Sequence, residues 1–181
     1  MPNDAADDAR THAATNAATN ARGQRLAVVA VVAVVLCDQL SKAWAVATLA
    51  DGPVSIIGTT IELRLGRNAG GAFSLFGDYG VMLAILAAVM VVVLVRMVRR
   101  TEGLWMIGAL ALVLGGALGN LSDRVFRSPG FLRGAVVDFV SVGSFPTFNV
   151  ADSALTVGAI VILVTGLFGG RGAGAPRDAS S

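Results

Sequence analysis

Four long apolar stretches constrain this chain more than any other feature of its sequence. They cover roughly residues 26–48, 79–98, 104–122 and 151–169. A helix that crosses a bilayer needs about 20 mostly apolar residues, because the hydrocarbon interior offers the backbone no hydrogen-bond partners. Each stretch meets this requirement. The sequence therefore predicts a polytopic membrane protein with four spanning helices.

The composition agrees with this prediction and excludes several other classes of protein. Of the 181 residues, 55% are hydrophobic and 14% are charged, whereas soluble domains carry about 25% charged residues. The net charge of +2 leaves no basic face for a nucleic-acid partner. There is one cysteine, and the one histidine, His12, lies in a polar segment. We therefore expect no disulfide framework, no metal site and no cofactor.

The polar ends of the chain contrast with its apolar middle. Residues 1–25 are rich in Ala, Thr, Asn, Asp and Arg without an apolar repeat. Such a segment cannot bury enough surface to offset its chain entropy. Residues 170–181 have a similar character. We expect a disordered N-terminal tail, one transmembrane domain over residues 26–169 and a flexible C-terminal tail.

The start of the first apolar stretch has some features of a signal peptide. Arg22 and Arg25 precede it, and Cys37 follows its most apolar part. A lipoprotein signal has a small residue before the cysteine, but Leu36 occupies that position here. Apolar residues also resume after Lys42. We interpret this stretch as a retained spanning helix.

The arginines predict the orientation of the spans, because positive residues concentrate on the cytoplasmic side of membrane proteins. In a four-span arrangement, both chain ends and the connector between spans two and three share one side. The flanks of the spans on this side contain seven arginines: Arg22, Arg25, Arg96, Arg99, Arg100, Arg171 and Arg177. Both termini are therefore predicted to be cytoplasmic, and the connectors 49–78 and 123–150 to face outward.

The first outward connector contains a predicted β element. Segment 54–65 (VSIIGTTIELRL) is rich in β-branched residues and is interrupted by Gly58, which favours a hairpin over an irregular loop. The expected fold is thus an all-α membrane protein with a small extracytoplasmic β element. In the third span, Ala111, Gly115 and Gly119 recur at every fourth position, a spacing that allows close helix packing.

Ionisable side chains within the apolar stretches are candidates for function, because burying them in a membrane is costly. Asp38 lies about 12 residues into the first span, or roughly 18 Å along it. Lys42 follows four residues later and shares its helix face. The two residues either neutralise each other so that the helix inserts, or they shape a site toward the outer leaflet.

Other polar residues gather where the remaining spans meet the outward connectors. The motif RNAGGAFS contains Asn68 and leads into the second span, and the third span ends in GGALGNLSDR. Asp123 and Arg124 at that end could be interfacial anchors. Asn120 lies deeper in the span, and anchoring explains it less well.

Two aspartates of the last outward region are the catalytic candidates. Asp138 lies in the motif VVDF, an apolar setting that raises the pKa of a carboxyl group. Asp152 lies in FNVADS at the start of the fourth span, where it could instead complement the helix dipole. If the two carboxyl groups meet, one keeps its proton. Such a pair has the chemistry of an aspartic protease, in which one carboxylate activates water and the other carboxyl protonates the scissile carbonyl.

Two alternatives from other classes stay open at this point. In a small ion or proton transporter, these aspartates and Lys42 would line a relay. Transporters more often carry broken helices in repeated halves, however, and this chain has no repeat. A non-catalytic assembly protein that uses its glycine-rich helix contacts would leave both aspartates unexplained.

Five motifs, in this order along the four spans, resemble conserved blocks of the bacterial lipoprotein signal peptidase (signal peptidase II): DQLSK, RNAGGAFS, GNLSDR, VVDF and FNVADS. The resemblance covers about residues 26–168. It implies a metal-independent, membrane-embedded aspartic endopeptidase that cleaves prolipoproteins just before their diacylglyceryl-modified cysteine. It further implies action at the outer face of the cytoplasmic membrane, contact with membrane lipid, and inhibition by globomycin-type cyclic peptides. We expect the protein to be monomeric.

The same resemblance implies roles for individual residues. The catalytic aspartates of the family correspond to Asp138 and Asp152. Four polar residues correspond to its substrate-binding positions: Asn68, Asn120, Arg124 and Asn149. Three charged residues correspond to supporting positions: Asp38, Lys42 and Asp123.

Overall fold

The computed structural model describes residues 4–70 and 79–169. It contains four long helices, which are α1 (Asp4–Thr48), α2 (Tyr79–Arg100), α3 (Leu104–Phe126) and α4 (Val150–Gly169). Residues 71–78, which include the second half of the motif RNAGGAFS, and the predicted C-terminal tail at 170–181 lie outside the described residues.

Each helix contains a segment that is long and apolar enough to cross a membrane. The four segments are Thr19–Thr48, Gly80–Arg100, Leu104–Phe126 and Val150–Leu167. Large apolar side chains such as Leu40 and Leu86 are 68% and 58% exposed on their outer faces, as expected where lipid rather than water surrounds a helix. The prediction of four spanning helices is confirmed.

The N-terminal end differs from the sequence prediction. Helix α1 begins at Asp4, so residues 4–25, which we expected to be disordered, continue the first span as one helix. This segment is rich in alanine, which has the highest helix propensity of all residues. A helix that is already nucleated also extends without repeating the entropic cost of its first turn.

Helix α3 is the central element and packs against the other three helices. Its small residues allow this close approach. A Cβ atom on Gly115 would lie 2.8 Å from Cβ of Val34 in α1, and one on Gly116 would lie 2.5 Å from the carbonyl oxygen of Ala151 in α4. The predicted packing role of the small residues is confirmed by these distances.

A four-stranded antiparallel sheet covers one end of the helices. Its strands, in spatial order, are β1 (Val54–Ile57), β2 (Ile61–Asn68), β3 (Val136–Val142) and β4 (Phe145–Phe148). The hairpin β1–β2 confirms the predicted β element. We did not predict β3 and β4, which join the second outward connector to the same sheet.

The register of the sheet positions the candidate residues. Strand β2 pairs with β3 so that Gly66 lies opposite Asp138 and Asn68 lies opposite Val136. Strand β4 ends at Phe148, two residues before α4 begins. The sheet therefore brings the middle of β3 close to the first turn of α4.

Candidate active site

Asn149 connects the two candidate catalytic carboxyl groups. Its side-chain Nδ2 donates a hydrogen bond of 2.6 Å to Oδ1 of Asp138. Its backbone N–H donates to Oδ2 of Asp152 at 3.2 Å, and its Oδ1 accepts from the backbone N–H of Asp152 at 2.9 Å. The last two bonds form a capping box at the start of α4. The same residue thus begins the helix and joins Asp138 to Asp152.

Asn120 of α3 provides a second contact to Asp152. Its Nδ2 donates to Oδ1 of Asp152 at 2.8 Å. Its Oδ1 accepts from Nζ of Lys42 at 2.9 Å and from Nδ2 of Asn149 at 3.3 Å. Both oxygens of Asp152 therefore accept hydrogen bonds, one from each asparagine.

Asp138 is 4% exposed, and its surroundings change its acidity. Burial raises the pKa of this carboxyl group above its ordinary value of 3.8, because desolvation disfavours the charged form. The nearby charge of Asp152 also raises this pKa, whereas hydrogen bonds from Asn149 and Asn68 lower it. The prediction of a raised pKa at this position is confirmed. A carboxyl group of this kind keeps its proton to a higher pH than an ordinary aspartate does.

Arg124 presents a buried donor that has no hydrogen-bond partner among the described residues. The residue is 8% exposed, and its Nη1 makes no hydrogen bond within the part of the chain that the structure describes. Its positive charge interacts with Asp138 and Asp123. An unsatisfied buried donor is costly, so an acceptor that reached this atom would bind favourably.

A group of charged and polar side chains adjoins Asn120, and we call it the charge cluster: Asp38, Gln39, Lys42, Asp123 and Arg127. The Lys42 ammonium lies 2.8 Å from Oδ2 of Asp38 and 2.9 Å from Oδ2 of Asp123. The side chains of these three residues are 0% exposed. Opposite charges at this distance offset the cost of burying each one alone.

The charge cluster also ties the helices to the sheet. Oδ1 of Asp38 accepts from the backbone N–H of Ala151 in α4 at 3.0 Å. Oδ2 of Asp123 accepts from the backbone N–H of Val137 in β3 at 3.1 Å. Each carboxylate therefore holds an element that carries one of the two candidate catalytic aspartates.

Two members of the charge cluster were missed by the sequence reasoning. Nε of Arg127 lies 2.6 Å from Oδ1 of Asp123, and their spacing of four residues along a helix is a signal that could have found this pair. Gln39 donates to Oδ2 of Asp38, to the carbonyl of Gly119 and to Oδ1 of Asp123 at 3.1–3.2 Å. No pattern in the sequence indicates that Gln39 belongs to the charge cluster.

All nine predicted site residues lie in one region of the structure. Hydrogen bonds and ion pairs join seven of them in a continuous network: Asp38, Lys42, Asn120, Asp123, Asp138, Asn149 and Asp152. Asn68 and Arg124 interact with Asp138 from two other directions. Among residues 4–70 and 79–169, no three His, Cys, Asp or Glu side chains are grouped as metal ligands would be.

A cavity of about 320 Å³ opens beside Asp152, between β4 and α4. Phe145, Phe148 and Val157 contribute apolar walls. Ser153 and Thr156 also line it, but their hydroxyl groups donate to the backbone carbonyls four residues earlier in the chain, at 3.0 and 2.8 Å. The cavity is therefore suited to an apolar group rather than to a polar one.

The fold and the site together define a multi-pass membrane enzyme, with its polar residues gathered at one end of a helical bundle. A solved bacterial membrane enzyme, determined by the in meso method at 1.9 Å resolution, has a similar structure, with a TM-score of 0.71. It is 31% identical in sequence, and the match covers 79% of this chain and 93% of the solved one. The family model described as Signal peptidase (SPase) II matches residues 30–168. The chain belongs to this family of lipoprotein signal peptidases, which process prolipoproteins.

Curated relatives agree with this assignment. The lipoprotein signal peptidase of Rhodococcus jostii is 48% identical over 148 residues, which cover 81% of this chain and 75% of that protein. The lipoprotein signal peptidase of Mycobacterium tuberculosis is 46% identical over 149 residues, covering 82% and 74%. The resemblance noted from the five motifs is confirmed, and membership of this family replaces the transporter and assembly alternatives.

Proposed function

We propose that this protein is an aspartic endopeptidase in which Asp138 and Asp152 form the catalytic pair. The observation that carries the proposal is the bridge through Asn149, which contacts both carboxyl groups within 3.2 Å. The charge of Asp152 also raises the pKa of Asp138, and two carboxyl groups coupled in this way share a proton more readily than they both ionise. A shared proton supplies the acid and the base of peptide hydrolysis in one site.

The different surroundings of the two aspartates suggest their roles. Asp138 is buried and has a raised pKa, so it keeps the proton and donates it to the scissile carbonyl oxygen. Asp152 is half-buried, so water reaches it. Asp152 takes a proton from this water as its oxygen bonds to the carbonyl carbon. The tetrahedral intermediate then collapses, and Asp152 gives its proton to the leaving nitrogen as the C–N bond breaks. Asp138 takes back a proton from a hydroxyl group of the intermediate as the C=O bond re-forms, so both carboxyl groups return to their starting states.

Asp123 is the other buried carboxylate close enough to be considered, and its contacts argue against catalysis. Its two oxygens accept from Lys42, Arg127, Gln39 and the backbone of Val137. A carboxylate has about four acceptor sites, so these four donors leave none for water. We assign Asp123 a supporting role.

The residues around the pair are suited to a peptide substrate. Nη1 of Arg124, which has no partner in the described part of the chain, and the exposed amide of Asn68 can bind carbonyl oxygens of an extended peptide beside Asp138. Asn120 and Asn149 donate to Asp152 and hold it next to this peptide. The apolar cavity beside Asp152 suits a lipid chain or an apolar side chain near the scissile bond.

The substrate that fits these features is a prolipoprotein that carries a diacylglyceryl cysteine, cut just before that cysteine. Such a substrate is anchored in lipid, so it reaches the site laterally from the membrane. We further propose that the site faces the extracytoplasmic side, that both termini are cytoplasmic, and that the protein acts as a monomer inhibited by globomycin-type cyclic peptides.

The test is cleavage of a diacylglyceryl-modified prolipoprotein peptide by the purified protein in detergent. Asp138→Asn and Asp152→Asn should each lower the rate by about 10²- to 10⁴-fold, the usual contribution of a positioned acid or base. The same peptide without the lipid should be a poorer substrate.

Asp51→Asn serves as the matched control, because this exposed aspartate lies in the turn between α1 and β1 and takes no part in the contacts described for the site. Each variant is checked for folding by its thermal melting curve. Cleavage by Asp138→Asn at the wild-type rate would contradict the proposed pair. If Asp123→Asn were then inactive but folded, the catalytic role would move to Asp123.

A further inference from the structure

Lys42 is a fully buried cation that the proposed reaction does not use directly. It lies in the first span, and its side chain is 0% exposed. A single carboxylate such as Asp38 would be enough to neutralise it. Its ammonium instead makes three contacts at 2.8–2.9 Å, to Asp38, Asp123 and the amide oxygen of Asn120. The third contact points away from the charge cluster and toward the proposed catalytic pair.

The contact with Asn120 determines which way its amide group faces. An ammonium group has donors and no acceptor, so only the Oδ1 side of the amide can face Lys42. The Nδ2 side must then face Asp152, to which it donates at 2.8 Å. Rotating the amide by half a turn would place its NH₂ group against the ammonium and its oxygen against a carboxylate oxygen, and both contacts would be repulsive.

Asn149 does not provide a sufficient substitute for Lys42. Its Nδ2 also donates to Oδ1 of Asn120, but at 3.3 Å. The same NH₂ group is shared with Oδ1 of Asp138 at 2.6 Å and with the carbonyl of Val137 at 3.3 Å. Its strongest bond is therefore to Asp138, which leaves Lys42 as the main constraint on the Asn120 amide.

We propose that Lys42 is a positioning residue for catalysis. It holds the amide of Asn120 so that Nδ2 always donates to Asp152, which keeps this carboxylate oriented for the attack of water. Lys42 does not contact the substrate in this arrangement. The inference rests on the proposed function, since it assigns Lys42 an effect on Asp152 as the base.

The first measurement compares the steady-state kinetics of the wild type and Lys42→Met, which keeps the length of the side chain without its charge. We expect kcat to fall about 10- to 100-fold, the usual loss when a residue that orients a functional side chain is replaced. We expect KM to change by less than about twofold, because binding of the substrate is not altered.

Gln39→Met is the matched control. Gln39 contacts Asp38, Asp123 and the carbonyl of Gly119, but it does not contact the side chain of Asn120. A general loosening of the cluster would lower kcat by a similar factor in both variants, whereas loss of amide positioning would lower it much more in Lys42→Met. An equal loss of kcat in the two variants would overturn the inference.

A double-mutant cycle tests the route through Asn120. Asn120→Leu removes the donor to Asp152, and Lys42→Met should lower kcat no further in this background, because residues that act as a unit are not additive. Independent losses that multiply in the double variant would contradict the inference.

Two further variants cover the remaining outcomes. If Lys42→Met does not fold, Asp38→Asn/Lys42→Met removes one charge of each sign and should show the same loss of kcat relative to Asp38→Asn alone.

An inactive Asp152→Asn together with a fully active Lys42→Met overturns the positioning role and leaves the proposed function intact. An active Asp152→Asn refutes the proposed function itself.

Discussion

Asn149 carries out three tasks that are usually divided among several residues. It caps α4, it donates to Asp138, and it is the partner of Asp152 in the capping box. It is 1% exposed, so all of its bonds are made away from water, where hydrogen bonds are strongest. The geometry of the proposed catalytic pair therefore depends on the same bonds that begin a helix.

The raised pKa of Asp138 leads to a prediction about stability. The folded protein keeps a proton on this carboxyl group at pH values where the unfolded chain, with the ordinary pKa of 3.8, has released it. The stabilisation from this group is therefore fully present below the pKa of the unfolded chain. It is lost as the pH rises through the raised pKa of the folded protein. Asp138→Asn does not titrate, so it should melt at a higher temperature than the wild type at neutral pH.

The measurement is the melting temperature of both proteins in detergent from acidic to neutral pH, followed by the fluorescence of Trp44 and Trp105. The gap between them should close below about pH 4. Asp51→Asn, which lies at an exposed position, shows what loss of a solvated carboxylate does. A gap for Asp138→Asn that widened toward low pH would refute a raised pKa.

At the scale of elements, the contact between α3 and α4 determines where Asp152 lies. Gly116 and Gly158 allow the two helices to touch along their backbones, since a Cβ atom on either would lie within 2.8 Å of the opposite helix. Asp152 is in the first turn of α4, one residue after Ala151, whose carbonyl faces Gly116. A change in helix separation therefore moves the proposed base.

Gly116→Ala should lower both stability and activity. The added methyl group would meet the carbonyl oxygen of Ala151 at 2.5 Å, and overpacking of this kind costs about 1–3 kcal/mol. We expect the melting temperature to fall by several degrees and kcat to fall with it.

Gly108→Ala is the control on the same helix, because a Cβ atom there meets nothing within 4 Å. Melting curves and cleavage assays of the two variants, run side by side, check this prediction. A Gly116→Ala variant with unchanged melting and turnover would show that α4 shifts freely and that the contact does not position Asp152.

At the scale of the whole molecule, the bundle has two chemically different ends. Trp105 and Phe126 mark the ends of α3 and are 82% and 83% exposed, as expected for aromatic residues at the two membrane interfaces. The sheet and the site lie at the Phe126 end. Arginines of α2 lie at the other end, at Arg96, Arg99 and Arg100. This asymmetry predicts that the site faces outward and that the α2–α3 connector is cytoplasmic.

Single cysteines placed in the Cys37→Ser background test this orientation in intact cells. Thr59→Cys lies in the exposed turn between β1 and β2, and Glu102→Cys lies in the exposed connector between α2 and α3. A membrane-impermeant maleimide should label Thr59→Cys in intact cells and Glu102→Cys only after lysis. The reverse pattern would place the site on the cytoplasmic side.

Several features could be predicted from the sequence because they depend on local composition. The four spans follow from the lengths of the apolar runs, and the hairpin of β1 and β2 from its β-branched residues and Gly58. The pairing of β2 with β3 joins segments about 70 residues apart. Local patterns do not specify such a pairing, so β3 and β4 were not predicted. The expectation of disorder before the first span was wrong for residues 4–25, because the polar composition was given more weight than the helix propensity of alanine.

The sequence by itself determined that this is a four-span membrane protein, and its five motifs identified the family. Only the tertiary structure decided which polar groups meet. Asp138 and Asp152 come together because a strand and a helix cap converge on Asn149, and Lys42 reaches Asn120 because α1 packs against α3. The physical reason is that transfer into a membrane depends on the composition of each segment alone. Contacts between buried polar groups depend instead on how all the segments pack together.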